Sequence, residues 1–62
     1  MNSREVIKAL RADRWYKVGQ VASHVQFRHP TKKGRVTVPH PKRDLHVRLV
    51  KSIEKLARIR LR

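Results

Sequence analysis

The chain has 62 residues, no cysteine, and seventeen Lys and Arg against four acids, a formal net charge of +13 at neutral pH. A chain this short buries only about 60% of the surface it exposes when unfolded, so one domain spanning residues 1–62 with a thin core is expected, and the absence of thiols excludes a disulfide framework, a thiolate zinc site and a cysteine nucleophile. No apolar run approaches the roughly 20 residues of a membrane span and the opening MNSRE is no signal peptide, so the expectation is a soluble cytoplasmic protein without a membrane partner, whose charge favours nucleic acid over anionic lipid or an acidic protein.

From Ser3 to about Ala12, Val6, Ile7 and Leu10 recur at helical spacing. Asn2 or Ser3 is the N-cap, Glu5 sits in the favourable first turn, and Arg4, Lys8 and Arg11 fall on another face. Between Trp15 and Val21 the period changes to two, with Tyr16 and Val18 alternating against Trp15, Lys17 and Gly19; this predicts a first strand. A second strand takes in VASHVQF, residues 21–27, and extends to His29. Strand alternation sends Val25 and Phe27 to the core and His24, Gln26 and Arg28 to the other face. The turn signal PTKKG leads into a third strand, Arg35 to Val38, with Val36 and Val38 in the core and Arg35 and Thr37 on the side of His24.

Pro39 and Pro41 end that strand, and a basic connector runs to Arg43. Beyond Asp44, read as an N-cap, Leu45, Leu49, Val50, Ile53, Leu56 and Ala57 form an apolar stripe, with Arg48, Lys51, Lys55, Arg58 and Arg62 on the opposite face. The expected fold is α+β, in the order α-β-β-β-α, with a three-stranded antiparallel sheet covered by two helices on one face and open on the other.

Several chemistries fail on residue type. Metal-assisted phosphoryl chemistry needs clustered carboxylates, and no acid falls on a predicted strand. The four histidines, His24, His29, His40 and His46, lack the helical i, i+4 spacing of a zinc motif, so no metal and no cofactor are expected. Ser23 and His24 are adjacent and point opposite ways, which disfavours a nucleophilic triad. No Walker pattern is present.

What remains is an imidazole among cations on an open sheet. With an ordinary pKa near about 6.5, disfavoured in its charged form by positive neighbours, such a group is a usable base near neutral pH. It could deprotonate a ribose 2′-OH while Lys and Arg stabilise charge on the phosphate; this route needs no metal and requires RNA. Spacing alone favours the plainer reading, that His24 is a polar residue on a solvated strand.

The run DRWYKVGQVASHVQFRHPTKKGRVTVPHPKRDL, residues 13–45, changes that balance. It closely resembles the HicA family of bacterial toxins, whose hallmarks are D-G-W ending the first helix, G-S-H opening the second strand, F-x-H-P closing it and V-T-V-P-H-P-K-K-D-L entering the last helix. The opening NSREVIKAL and the later VKSI extend the likeness over nearly the whole chain. The resemblance implies a double-stranded-RNA-binding-domain-like fold, ribosome-independent cleavage of mRNA by an interferase, and neutralisation by a HicB antitoxin. It also implies that the histidine of the Gly-Ser-His motif, here His24, is catalytic.

Charge and placement in turns or on the open face add Lys32, Lys33, Lys42, Arg43, Arg28 and Arg35 as RNA-binding candidates. Trp15 and Tyr16 could stack on a base, although packing at the sheet edge and in the core, respectively, is the plainer reading. His29 and His40 are both open as the general acid. The plainer reading of His29 is a hydrogen-bonded residue on the core side, and that of His40 a turn residue between prolines.

The chain departs from the family pattern at Ala22 and Arg14, each in place of glycine, and at His46-Val47-Arg48-Leu49 in place of P-I-G-T. A positive φ at the two glycine positions would strain their replacements. The usual A-G stop is also missing, which suggests a last helix running to the end of the chain. A non-catalytic or inactivated RNA-binding module is therefore the alternative, and a DNA-binding protein using the basic helix ranks behind it.

Overall fold

The computed structural model describes residues 1–61. In chain order it contains α1 (Ser3–Ala12), β1 (Tyr16–Val21), β2 (His24–Arg28), β3 (Val36–Pro39) and α2 (Val47–Ala57). The expected α-β-β-β-α order is the observed one, and the three strands form an antiparallel sheet in the order β1-β2-β3.

Helix α1 begins at a capping box. Asn2 Oδ1 accepts from the Glu5 N–H at 2.8 Å, and Glu5 Oε1 accepts from the Asn2 N–H at 2.9 Å. Asn2 is thus the cap, which leaves Ser3 free to be buried. The other end closes in a Schellman motif, with Trp15 N–H donating to Leu10 O and Arg14 N–H to Arg11 O, both at 2.9 Å. The reversal puts Arg14 at φ 75° and swings Trp15 over the last helical turn against the core beside Leu10.

Trp15, expected at the sheet edge, is therefore only 2% exposed, whereas Tyr16, expected in the core, is 49% exposed. The register explains the exchange. Tyr16 pairs with Arg28 on the open face, and a bulge between Lys17 and Gly19 leaves Val18 exposed as well. No residue of β1 is buried. The core is built instead from Val25 and Phe27 of β2, Val36 and Val38 of β3, and one face of each helix, both of which pack on β3. His24, Arg28 and Thr37 lie on the exposed side of the same strands, as alternation requires.

Helix α2 starts later and stops earlier than its pattern suggests. The cap is His46, whose Nδ1 accepts from the Arg48 N–H at 3.1 Å, while Asp44 pairs with the N-terminal ammonium at 3.6 Å. Leu45 is buried ahead of the helix, and Leu56 is exposed because it falls off the inward stripe. At the far end Arg58 turns left-handed, φ 55°, with its N–H and that of Ile59 both reaching Glu54 O. The chain then folds back, its Leu61 N–H bonding Glu54 Oε2 at 2.7 Å and its side chain closing the core. The helix does not continue to the end of the chain, and Arg62 lies outside the described residues.

Candidate nucleic-acid interface

His24 opens β2 directly after the two-residue turn Ala22-Ser23. It sits between Val21 of β1 and Pro39 of β3 on the open face, and the neighbouring His40 N–H donates to Ser23 O at 2.6 Å. Ala22 has φ 53°, at the first central position of a hairpin where glycine is the ordinary choice. Among the described residues, no group hydrogen-bonds or pairs with the His24 imidazole. The ring is exposed at the mouth of the hairpin, free to meet a ligand.

The other strand cations lie farther along the same face. Arg28 is exposed beside Tyr16, and the Arg35 guanidinium donates to Gln26 Oε1 at 2.8 Å, which lays it across the sheet. Gly19 stands opposite Gln26 with open space above it, so the sheet floor is uncovered between Tyr16 and Val21. Lys33 is exposed in the β2–β3 loop, and Lys42 and Arg43 are exposed in the connector after β3, at the His24 end.

Lys32 is occupied differently. Its ammonium bonds Asp13 Oδ2 and donates to Ala57 O and Arg58 O, each at 3.1 Å, tying the C-terminal ends of both helices to the β2–β3 loop. This is a cation at two helix C-termini, where it is favoured by the carbonyl dipoles. The Lys32 ammonium bonded to Asp13 holds that carboxyl below its ordinary 3.8, against the opposing effect of burial. The Trp15 indole lies close enough to add to the lowering but falls short of hydrogen-bond geometry, leaving Nε1 buried without a partner among the described residues.

The remaining histidines are also distinguished by their partners. His29 Nδ1 accepts from the N–H groups of Thr31 and Lys32 at 3.1 and 3.0 Å, so the ring proton is assigned to Nε2, which donates to Asp13 O at 2.6 Å. The side chain is 4% exposed and edge-on to Trp15, with ring centroids 5.2 Å apart. Both nitrogens are committed, and His29 organises a turn. His40 uses one nitrogen, with Nδ1 2.7 Å from Ser3 Oγ. The buried Ser3 hydroxyl escaped the sequence reading because Asn2 and Ser3 were equivalent candidates for one cap.

The four acids have assignments elsewhere: Glu5 in its capping box, Asp13 on Lys32, Asp44 on the N-terminus and Glu54 on Leu61. None lies on a strand. Among the described residues, no three His, Cys, Asp or Glu side chains come together as a metal-binding group. No helix is long and apolar enough to cross a membrane.

Fold and site define a small, strongly basic α+β domain with one sheet face left open, a surface suited to a polyanion. The family model described as HicA toxin of bacterial toxin-antitoxin matches residues 3–59, and the chain belongs to that family. It is a toxin of a toxin–antitoxin pair, and an antitoxin is its partner. No curated protein matches the sequence.

Proposed function

We propose that this toxin is a metal-independent endoribonuclease that cleaves mRNA and so inhibits translation, with His24 as its general base. The observation that carries the reading is an exposed imidazole with no partner among the described residues, on strands that bear cations and no carboxylate. His24 takes the proton of a ribose 2′-OH. The 2′-oxygen then bonds to the adjacent phosphorus, the bond from phosphorus to the 5′-oxygen breaks, and a proton from a general acid or water completes the 5′-hydroxyl end. Arg28, Arg35, Lys33, Lys42 and Arg43 bind and neutralise the phosphates. Lys32 is better assigned to the fold than to the substrate, because its three donors already have partners.

The proposed place of action is the bacterial cytoplasm, where mRNA is found, and the proposed antitoxin is HicB-like. An acidic antitoxin laid on the open face would neutralise the surplus charge and cover His24 at once. Loss of toxicity on co-expression with its complex-forming antitoxin is the expected result, and failure of the two to associate overturns that part.

The direct test is cleavage of RNA in EDTA by pure wild type and His24→Ala, with circular dichroism on both. Wild-type cleavage, lost by about 100-fold or more in the variant and absent on RNA with 2′-deoxy substitutions, is expected for a general base acting on the 2′-OH. Cleavage that survives in His24→Ala removes the residue from the mechanism. Salt-dependent RNA binding without cleavage by either protein establishes the second reading, an inactivated binding module. That reading draws on Ala22, which holds a left-handed backbone two residues before His24.

A further inference from the structure

His40 has no part in the mechanism above, yet its ring is held by a buried hydroxyl. The buried Ser3 hydroxyl accepts from the Lys42 N–H at 2.8 Å and hydrogen-bonds His40 Nδ1 at 2.7 Å, while Ser3 N–H donates to Lys42 O at 2.9 Å. These bonds lock the start of α1 to the connector after β3. They also fix the imidazole by one nitrogen and leave Nε2 without a partner among the described residues.

The ring lines a cleft of about 490 Å³ together with Ser3, Arg4, Lys42 and Arg43, and no acid lines it. The Glu5 carboxylate accepts from the N–H of Asn2, which also lines the cleft, and Asp44 is held by the N-terminal ammonium. Arg4, Lys42 and Arg43 have no salt-bridge partner among the described residues. Like charges gathered in a concavity repel one another and gain only when an anion enters. The cleft is joined to the His24 hairpin through the bond from His40 N–H to Ser23 O.

We infer that this cleft is a phosphate subsite for RNA, in which His40 Nε2–H, Arg4, Lys42 and Arg43 hold a backbone phosphodiester. The inference rests on the ribonuclease reading for the identity of the chain bound, and on the cleft itself for the anion. Ser3 is a positioning residue. Its hydroxyl can donate to a neutral His40 or, by rotating, accept from a protonated one, so the ring keeps its place in either state.

Binding is best measured by fluorescence anisotropy of a labelled single-stranded RNA in a His24→Ala background, so that nothing is cut. His40→Asn keeps an acceptor for Ser3 and loses the outer nitrogen, whereas His40→Gln places an amide N–H near the Nε2 position. A loss of about fivefold in affinity for Asn, the effect of one net hydrogen bond, with most of it restored in Gln, is expected. Arg4→Gln and Lys42→Gln, at exposed positions that leave the fold intact, should each lower the salt slope by about 0.7, one phosphate on single-stranded RNA.

Lys51→Gln on the far face of α2 removes the same charge away from the cleft. If it weakens binding as much as Arg4→Gln and Lys42→Gln do, or if His40→Asn binds like its parent, the subsite is overturned. Saturation of His40 by inorganic phosphate below millimolar levels, with RNA affinity unchanged in His40→Asn, assigns the cleft to a free anion and also overturns it. If the wild type cuts no RNA while the cleft variants weaken binding as stated, the nuclease reading fails and the subsite stands.

Discussion

Replacing Ala22 by glycine tests whether the hairpin that carries His24 is strained. Ala22 is exposed and sits at φ 53°, so the substitution removes a methyl group that packs on nothing buried and changes little besides backbone preference. A left-handed backbone costs an L-residue about 1–2 kcal/mol. Glycine's greater freedom in the unfolded chain offsets about 0.5–1 kcal/mol of that gain. The net expectation is a stabilisation of about 0.5–1 kcal/mol. For a chain of this size each kcal/mol is worth roughly 4–8 °C, so thermal unfolding followed by circular dichroism should show a rise of about 4 °C. Ala22→Val, whose branched side chain tolerates positive φ less well, should move the midpoint the other way. A midpoint that stays put or falls in Ala22→Gly refutes the strain argument. Cleavage assayed on the same protein then separates two consequences: a rate above wild type means the strained turn displaces His24, and an unchanged rate confines the strain to stability.

Arg14→Gly relieves the second left-handed position, φ 75°, at the Schellman turn; differential scanning calorimetry should show a similar gain, roughly additive with that of Ala22→Gly because the two turns are separate. Lys32→Gln and Lys33→Gln should part company: the first lowers the unfolding midpoint because two helix ends and Asp13 lose their cation, whereas the second leaves the midpoint alone and weakens RNA binding. Asp13 is ionised more readily in the folded chain than in the unfolded one. Its contribution is therefore complete above the ordinary carboxyl value of 3.8 and is lost as pH falls from there through the lower folded value. Urea titrations across that acid range should show a stability drop that Asp13→Asn flattens, and a drop of equal size in the variant would contradict the assignment.

Strand alternation made much of this protein legible in its sequence. Phe27 had to face the core, and His24, three positions away with opposite parity, had to face out; the same rule placed Arg35 and Thr37 on the face of His24. The first helix was readable because three apolar residues and a capping pair agree. Errors gathered where backbone reversals decide the outcome. Trp15 and Tyr16 exchanged places because a Schellman turn, closed by an arginine instead of glycine, carries the chain across the helix end before the strand begins. The same residue type hid the stop of α2 at Arg58. In sequence Asp44 reads as the cap, but its carboxylate meets the N-terminal ammonium while His46 supplies the accepting nitrogen. An arginine's own preference argues against a left-handed backbone, so only the family's glycine at the Arg14 position signalled one, and Arg58 had no such signal.

Lys32 shows the limit of reading function from charge. In sequence it is indistinguishable from Lys33, and only the folded chain puts one at two helix ends and leaves the other in solvent. The same accounting bears on inhibition. Seventeen cations face four acids, and each of those acids is already bound to an internal group. Internal pairing therefore leaves the surplus almost untouched, and most of its neutralisation must come from outside. If RNA is the substrate, as proposed, anything that neutralises the open face and the cleft beside His40 competes with it for the same cations, whatever its shape. An acidic antitoxin would then inhibit by occupying the substrate's own electrostatic site. The consequence is a shared salt dependence: raising ionic strength should weaken antitoxin and RNA together, whereas an antitoxin held mainly through the exposed apolar residues of β1 would keep its grip as RNA is lost.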